Sequence, residues 1–219
     1  MSDPPRPDLY ISADIETDGP IPGPFSTLSL GLCLAGRYDG ETFERLDEEP
    51  TVFYTELRPI SENFEPEALA VNGLDRERLI AEGTPPEVAM RQAADWIAQA
   101  ANGHRPVLVA YPVAFDWAFL HWYFVQFAGE SPFGFSSCLD IRTLYQAQAG
   151  TVFDLAAERF MPESVRGTHP HTHHAADDAI EQGQLFNNLF EGVVRRRSRA
   201  AEPGAEWPPA PDWLREFAV

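Results

Sequence analysis

The distribution of apolar residues along the chain predicts five β-strands. Two continuous apolar runs, at residues 9–16 and 27–36, are typical of strands buried on both faces. The segment 51–57 alternates between apolar and polar residues, and shorter apolar runs lie at 106–110 and 136–139. Because loops containing Gly separate the first three segments, we expect these strands to form an antiparallel meander.

Helical patterns occupy much of the remaining chain. The predicted helices cover residues 66–72, 75–79, 84–101, 114–127, 141–148, 152–160 and 174–190. The third begins with Thr84 as the expected N-cap, with Pro at the first helical position and Glu87 three residues after the cap. A group of strands followed by alternating strands and helices predicts an α/β fold with a mixed five-stranded sheet flanked by helices.

Length and composition fit one domain with short extensions. The chain has 219 residues, 44% of them hydrophobic, and we expect a Pro-rich leader at 1–8, the domain at 9–195 and a tail containing Pro and Trp at 196–219. No apolar stretch reaches the roughly 18 residues of a membrane span, and the N-terminal residues lack an apolar signal core. We therefore expect a cytoplasmic protein with no membrane partner and with Cys33 and Cys138 as buried free thiols.

The charge balance restricts the kinds of partner. The chain has 34 acidic residues against 16 basic ones, all of them Arg, and a formal net charge of −18. Such a chain is poorly suited to tight, sequence-independent binding of duplex DNA, which needs many cations over the phosphates. Nucleic acid is not excluded, because a bound metal ion can supply positive charge locally.

Two acidic signals lie next to predicted strands. Asp14 and Glu16 are two residues apart at the end of the first strand, so alternation places both carboxylates on one face. Carboxylates among apolar neighbours are costly unless they are paired or bound to metal, although two solvated acids before a turn would also fit. Asp116 follows the strand at 106–110, where it could serve the site or only cap a helix.

The third signal is a histidine-rich loop directly before the last predicted helix. His169, His171, His173 and His174, four of the six histidines, are followed by Asp177 and Asp178. Imidazole and carboxylate groups are zinc ligands, so a zinc site is one interpretation, and a solvated loop is the other. An acid in the first turn of a helix is also favoured by the exposed N–H groups there, so one of the two acids could be purely structural.

Taken together, these motifs resemble the DnaQ-like exonuclease superfamily, over about residues 8–192. The chain has Asp-Ile-Glu-Thr at the end of the first strand, Phe-Asp after a later strand, and His-x-Ala-x-x-Asp at the start of the last helix. Their order and spacing are similar to those of the branch with four acids and a histidine (DEDDh). That branch includes the proofreading subunit of bacterial DNA polymerase III, RNase T and oligoribonuclease.

The resemblance implies a fold, a reaction and a set of site residues. The fold would be RNase H-like, and the enzyme would be a 3′–5′ exonuclease that releases nucleoside 5′-monophosphates from single-stranded DNA or RNA. Two Mg²⁺ or Mn²⁺ ions would be bound by Asp14, Glu16, Asp116 and Asp178, with His173 as general base. By the same analogy Thr17 and Phe115 would contact the substrate, and a homodimer is left open because several relatives form one.

One position departs from the family pattern. The family usually has Asn four residues before the middle acid, where this chain has Pro112. An amide that helps to hold the catalytic loop or the nucleotide is therefore missing at that position. Two alternatives remain: a catalytically idle nucleic-acid-binding module of the same fold, and a zinc hydrolase built on the histidine-rich loop.

Overall fold

The molecule is organised around a mixed sheet of six strands in the computed structural model, which describes residues 6–200. The strand order is β3-β2-β1-β5-β6, and β4 also pairs with β2. The strands are β1 (Asp8–Thr17), β2 (Thr27–Tyr38), β3 (Phe43–Arg45), β4 (Val52–Glu56), β5 (Arg105–Ala110) and β6 (Cys138–Asp140). The predicted leader and tail lie largely outside the described residues.

The topology confirms the α/β fold class. Strands β1, β2 and β4 form the expected antiparallel meander, and β5 is parallel to β1 and to β6. The additional strand β3 has three residues and pairs with the last residues of β2. Its brevity explains why the apolar pattern did not predict it.

Within residues 6–200, six α-helices cover the two faces of the sheet. They are α1 (Pro66–Asn72), α2 (Arg76–Glu82), α3 (Pro86–Ala101), α4 (Val113–Tyr123), α5 (Ile141–Ala149) and α6 (Ala175–Ala200). A single π-helical turn, Phe124–Ala128, continues α4. The helical segment therefore ends at Ala128, one residue after its predicted end near residue 127. Helix α6 extends ten residues beyond the predicted end at residue 190.

Two sequence predictions about helices are wrong. Thr84 does not cap α3, because its backbone is drawn into a bridge with the end of β4: its N–H donates to Glu56 O (3.0 Å) and its carbonyl accepts from Arg58 N (2.9 Å). The segment 152–160 is not an α-helix but two 3₁₀ turns. There the hydroxyl of Tyr111 donates to Ala156 O (3.1 Å) and accepts from Glu158 N (2.7 Å), which replaces the bonds that a continuous helix would make.

The two faces of β1 pack against different helices. Its odd-numbered residues from Leu9 to Ile15 lie in a core with α3 and α4, whereas Tyr10 packs on the other face against Phe186 of α6, with ring centroids 4.7 Å apart. Alternation therefore directs Asp14 and Glu16 toward α6. This arrangement brings acids from a strand and a helix to the same end of the sheet.

Burial of the cysteines agrees only in part with expectation. Cys33 is a buried free thiol, as predicted from its apolar run. The same prediction is wrong for Cys138, which is half-buried because β6 forms an edge of the sheet. Among the described residues, no helix has both the length and the apolar character needed to cross a bilayer.

A glycine in β2 allows α6 to begin directly over the sheet. Gly31 lies opposite Asp14 in the β1–β2 ladder. A Cβ atom added at Gly31 would stand 2.0 Å from the carbonyl oxygen of Ala175, the first residue of α6. That separation is far inside van der Waals contact, so only glycine is compatible with this close approach.

We therefore expect Gly31→Ala to displace the start of α6 and to lower the free energy of unfolding by at least about 2 kcal/mol, the cost of overpacking against backbone. The matched control is Gly183→Ala within α6, where the added Cβ would be 3.4 Å from Ser12 Cβ, an ordinary contact. That variant gains helix propensity and should be neutral or more stable by up to about 1 kcal/mol. Urea unfolding of both variants checks the pair, and equal stability would contradict the packing account.

Candidate active site

Four carboxylates from three elements lie together at one end of the sheet. Asp14 and Glu16 come from the end of β1, Asp116 from the first turn of α4, and Asp178 from the first turn of α6. Carboxylate oxygens of Asp14, Glu16 and Asp178 lie within 4.8 Å of one another. Asp116 lies beside this group, close enough for its charge to raise the pKa of Asp14. We call these four residues the acid cluster.

The environment of the acid cluster disfavours the charged forms of Asp14, Glu16 and Asp116. Burial raises the pKa of Asp14 well above its ordinary value, and the negative charges of Asp116, Glu16 and Asp178 raise it further. Burial, with the charge of Asp178, raises the pKa of Glu16 to about 7. Burial raises the pKa of Asp116 to about 8. No Arg between residues 6 and 197 forms an ion pair with any of the four.

The loop before α6 is bound to Asp178 through backbone hydrogen bonds. The N–H of Thr172 donates to Asp178 Oδ1 (2.8 Å), and the N–H of His173 donates to Asp178 Oδ2 (3.0 Å). His173 itself has a left-handed backbone with φ of 57° and an exposed side chain. These bonds place His173 beside the acid cluster while leaving its imidazole free of the protein core.

The neighbouring residues His174 and Asp177 make their contacts outside the acid cluster. Asp177 accepts a hydrogen bond from the hydroxyl of Thr172 (3.0 Å) and contacts His169 Nε2 (3.3 Å). The His174 ring stacks on Tyr54, with centroids 4.5 Å apart. Of the two adjacent pairs in the sequence, the structure therefore brings His173 and Asp178 to the acid cluster and uses His174 and Asp177 for local contacts.

The two expected substrate-contacting residues differ in accessibility. Phe115 precedes Asp116 on α4 and keeps 38% of its surface exposed. Thr17 is buried, and its hydroxyl donates to Gly19 O (2.9 Å), so that group is already engaged within the turn after β1.

Sequence reasoning missed Gln182, a buried amide that contacts the acid cluster. Its Nε2 donates to Asp14 Oδ1 (2.8 Å), and its Oε1 accepts from the N–H of Tyr111 (2.8 Å). The hydrogen bond from Gln182 opposes the rise in the pKa of Asp14. An amide from α6 thus contacts the turn at Pro112, where the family pattern has Asn. The signal was present, because Gln182 lies four residues after Asp178 and so shares its helix face.

Asp18 is a second residue without an expected role. It is fully buried, its Oδ2 lies 3.0 Å from Arg76 Nε, and its Oδ1 accepts from the N–H of Ser26 (2.5 Å). The pair ties the loop after β1 to α2. Asp18 is therefore compensated by a cation, whereas the acid cluster next to it has no Arg partner among residues 6–197.

The donor chemistry of the acid cluster fits hard divalent cations. All four side chains offer carboxylate oxygens, the ligands that Mg²⁺ and Mn²⁺ prefer in proteins. Converging carboxylates are stable in their charged forms only when positive charge is nearby. The residues present therefore suit bound divalent ions.

Comparison with known proteins gives one related sequence and a set of related folds. No family model matches the chain. The 3′–5′ DNA exonuclease Cap18 of Escherichia coli is 35% identical to the chain over 180 residues, which are 82% of this chain and 90% of Cap18.

Several solved structures have a similar fold at low sequence identity. The nuclease domain of 3′hExo, a DEDDh family member bound to rAMP, has a TM-score of 0.61 and 14% identity, covering 92% of this chain and 95% of that chain. A 3′-exonuclease that recognises the 3′ end of a histone mRNA stem-loop has a TM-score of 0.63 and 13% identity, and the match covers 85% of this chain and 65% of that chain. E. coli exonuclease I in complex with a dT13 oligonucleotide has a TM-score of 0.55 and 17% identity, and the match covers 88% of this chain and 45% of that chain.

The relationship to Cap18 extends over most of both chains, and the fold neighbours include a DEDDh exonuclease. Together with the mixed sheet, these findings establish both the superfamily and the class of enzyme. The chain belongs to the DnaQ-like superfamily and is a 3′–5′ exonuclease.

Proposed function

We propose that the chain uses two divalent metal ions to remove nucleoside 5′-monophosphates, one at a time, from the 3′ end of single-stranded DNA. The observation that carries this proposal is the acid cluster, in which Asp14, Glu16 and Asp178 oxygens lie within 4.8 Å of one another. A purely structural group of buried acids would be expected to have cationic partners, as Asp18 has in Arg76.

The chemistry divides between the ions and the chain. Bound Mg²⁺ or Mn²⁺ would lower the pKa of water and neutralise the charge that builds on the phosphate during attack. The four acids would hold the ions, and Gln182 fixes one oxygen of Asp14. His173 accepts the proton of the attacking water, a task suited to an imidazole whose ordinary pKa is close to neutral pH. Its place on an exposed loop allows it to close over the substrate.

Support for DNA as the substrate comes from the relatives. Cap18 is named as a DNA exonuclease, and exonuclease I, similar in fold, is bound to the single-stranded dT13. The net charge of −18 disfavours extended contact with a duplex. In this proposal the ring of Phe115, which is 38% exposed, stacks on the terminal base, whereas Thr17 supports the turn through its engaged hydroxyl. The cytoplasmic location and the homodimer stay predictions.

The adjacent His and Asp pairs test the assignment of roles. We expect His173→Ala and Asp178→Asn each to reduce turnover with Mn²⁺ by at least about a hundredfold, the effect of losing a general base or a metal ligand. His174→Ala and Asp177→Asn are the matched controls and should reduce turnover less than about threefold, because neither side chain reaches the acid cluster.

Rates for these four variants are measured on 5′-labelled single-stranded DNA and on RNA of the same sequence. The proposal expects a ladder of products shortened from the 3′ end, with DNA degraded faster than RNA. An inactive His174→Ala beside an active His173→Ala would overturn the assignment of the general base. Faster cleavage of RNA would overturn the choice of substrate.

The raised pKa values predict how the stability of the metal-free protein depends on pH. The pKa of Glu16 rises from 4.5 to about 7 and that of Asp116 from 3.8 to about 8. Both carboxyl groups therefore bind protons more tightly in the folded state than in the unfolded state. Their stabilising contribution is therefore complete below about pH 4 and is lost as pH rises toward about 8. In EDTA the melting temperature should fall between pH 5 and pH 8, and Mn²⁺ should restore it most at the higher pH.

Two variants separate the acid cluster from other groups in this experiment. Asp116→Asn should reduce the fall in melting temperature with pH. Part of the remaining fall comes from Glu181, because burial raises the pKa of that residue to about 8. Glu62→Gln, at an exposed position, should leave the slope unchanged. A melting temperature that rises with pH in EDTA, or that Mn²⁺ does not alter, would contradict the electrostatic account.

A further inference from the structure

The histidine-rich loop places two imidazoles next to one carboxylate of the acid cluster. His171 Nδ1 lies 3.4 Å from Asp178 Oδ1. Ligand atoms of His171, His173 and Asp178 all lie within 4.8 Å of one another, and the two imidazole rings have centroids 4.8 Å apart. His171 has no part in the DnaQ-like motif and no part in the function proposed above.

From this geometry we propose that His171, His173 and Asp178 form an inhibitory Zn²⁺ site that overlaps the catalytic centre. The inference rests on the proposed function, because it assumes that His173 and Asp178 act in catalysis. It concerns a second metal, with a different ligand set, that stops the reaction instead of supporting it.

The ligand distances suit zinc. Zinc binds imidazole nitrogen and carboxylate oxygen at about 2.0–2.2 Å in a tetrahedral arrangement, which places neighbouring ligand atoms about 3.4 Å apart. The separation of His171 Nδ1 and Asp178 Oδ1 is already 3.4 Å. His173 needs only a small movement, since its ligand atom lies within 4.8 Å of the other two and its side chain is exposed.

Backbone hydrogen bonds hold the loop in this arrangement. The N–H groups of Thr172 and His173 both donate to the Asp178 carboxylate. His171 and His173 flank Thr172, so the same bonds bring both imidazoles to the carboxylate. Each carboxylate oxygen has two lone pairs, so Asp178 can accept these bonds and still bind a metal ion.

The ligand types separate zinc from the catalytic ions. Imidazole nitrogen is a good ligand for Zn²⁺, whereas Mg²⁺ and Mn²⁺ favour the all-oxygen acid cluster. A zinc ion on His171 and His173 would occupy the nitrogen that His173 needs as general base. It would also share Asp178 with the acid cluster and repel a cation there. Zinc is therefore expected to inhibit at concentrations well below those of the activating metal.

Calorimetric titration of Zn²⁺ into the metal-free protein, together with zinc inhibition of Mn²⁺-driven DNA hydrolysis, tests the proposal. His171→Ala should keep the Mn²⁺-driven rate and need at least about tenfold more Zn²⁺ for binding and for half-inhibition, the effect of losing one of three protein ligands. The matched control is His169→Ala. His169 Nε2 lies at a similar distance, 3.3 Å, from a carboxylate oxygen, but the carboxylate belongs to Asp177, outside the site.

The outcomes are distinct. If His169→Ala resembles the wild type and His171→Ala resists zinc, the site is supported. If wild type and His171→Ala bind zinc equally and are inhibited equally, zinc acts at the acid cluster and the proposal is overturned. If zinc sustains full turnover in the wild type, an inhibitory site is likewise overturned. Failure of the proposed function itself would show as no Mn²⁺-driven hydrolysis, and calorimetry would still compare zinc affinities.

Discussion

The repulsion among four converging carboxylates is the constraint on which the rest of the site depends. Asp14, Glu16, Asp116 and Asp178 are held together without an ion pair to any Arg of residues 6–197, although burial opposes the charged forms of Asp14, Glu16 and Asp116. Such a cluster costs stability in the absence of cations and becomes favourable when dications bind. A protein of net charge −18 can then attract phosphate at one place, because bound ions reverse the field locally.

The fold supplies the rigidity that holds these groups in place. Alternation along β1 directs Asp14 toward α6, and Gly31 lets the first turn of α6 approach the sheet closely enough to bring Asp178 beside it. Gln182 then connects β1 to the turn before α4, the helix that carries Asp116. The four acids are thus positioned by three elements, β1, α4 and α6, and one buried amide connects these elements through hydrogen bonds.

Much of this could be predicted from the sequence, and the failures have physical causes. Long apolar runs such as β1 and β2 are strong signals, and the resemblance to the DnaQ-like motifs implied the acids, of which the structure brings Asp14, Glu16 and Asp178 closest together. The segment 152–160 was predicted as one helix because local patterns cannot reveal that the Tyr111 hydroxyl takes over its backbone groups. Thr84 failed as a cap for the same reason, since pairing with Glu56 is a tertiary event. The sequence indicates only that Gln182 shares a helix face with Asp178, and it does not reveal the hydrogen bond from Gln182 to Asp14.

The central claim is that the acid cluster binds two divalent ions, and counting bound ions tests it most directly. Mn²⁺ is titrated calorimetrically into the metal-free protein in the presence of thymidine 5′-monophosphate, for the wild type and for Asp14→Asn. The account predicts two ions per chain in the wild type and fewer than two in the variant, with the fold intact by circular dichroism. No saturable binding in the wild type, or the same two ions in Asp14→Asn, would contradict it.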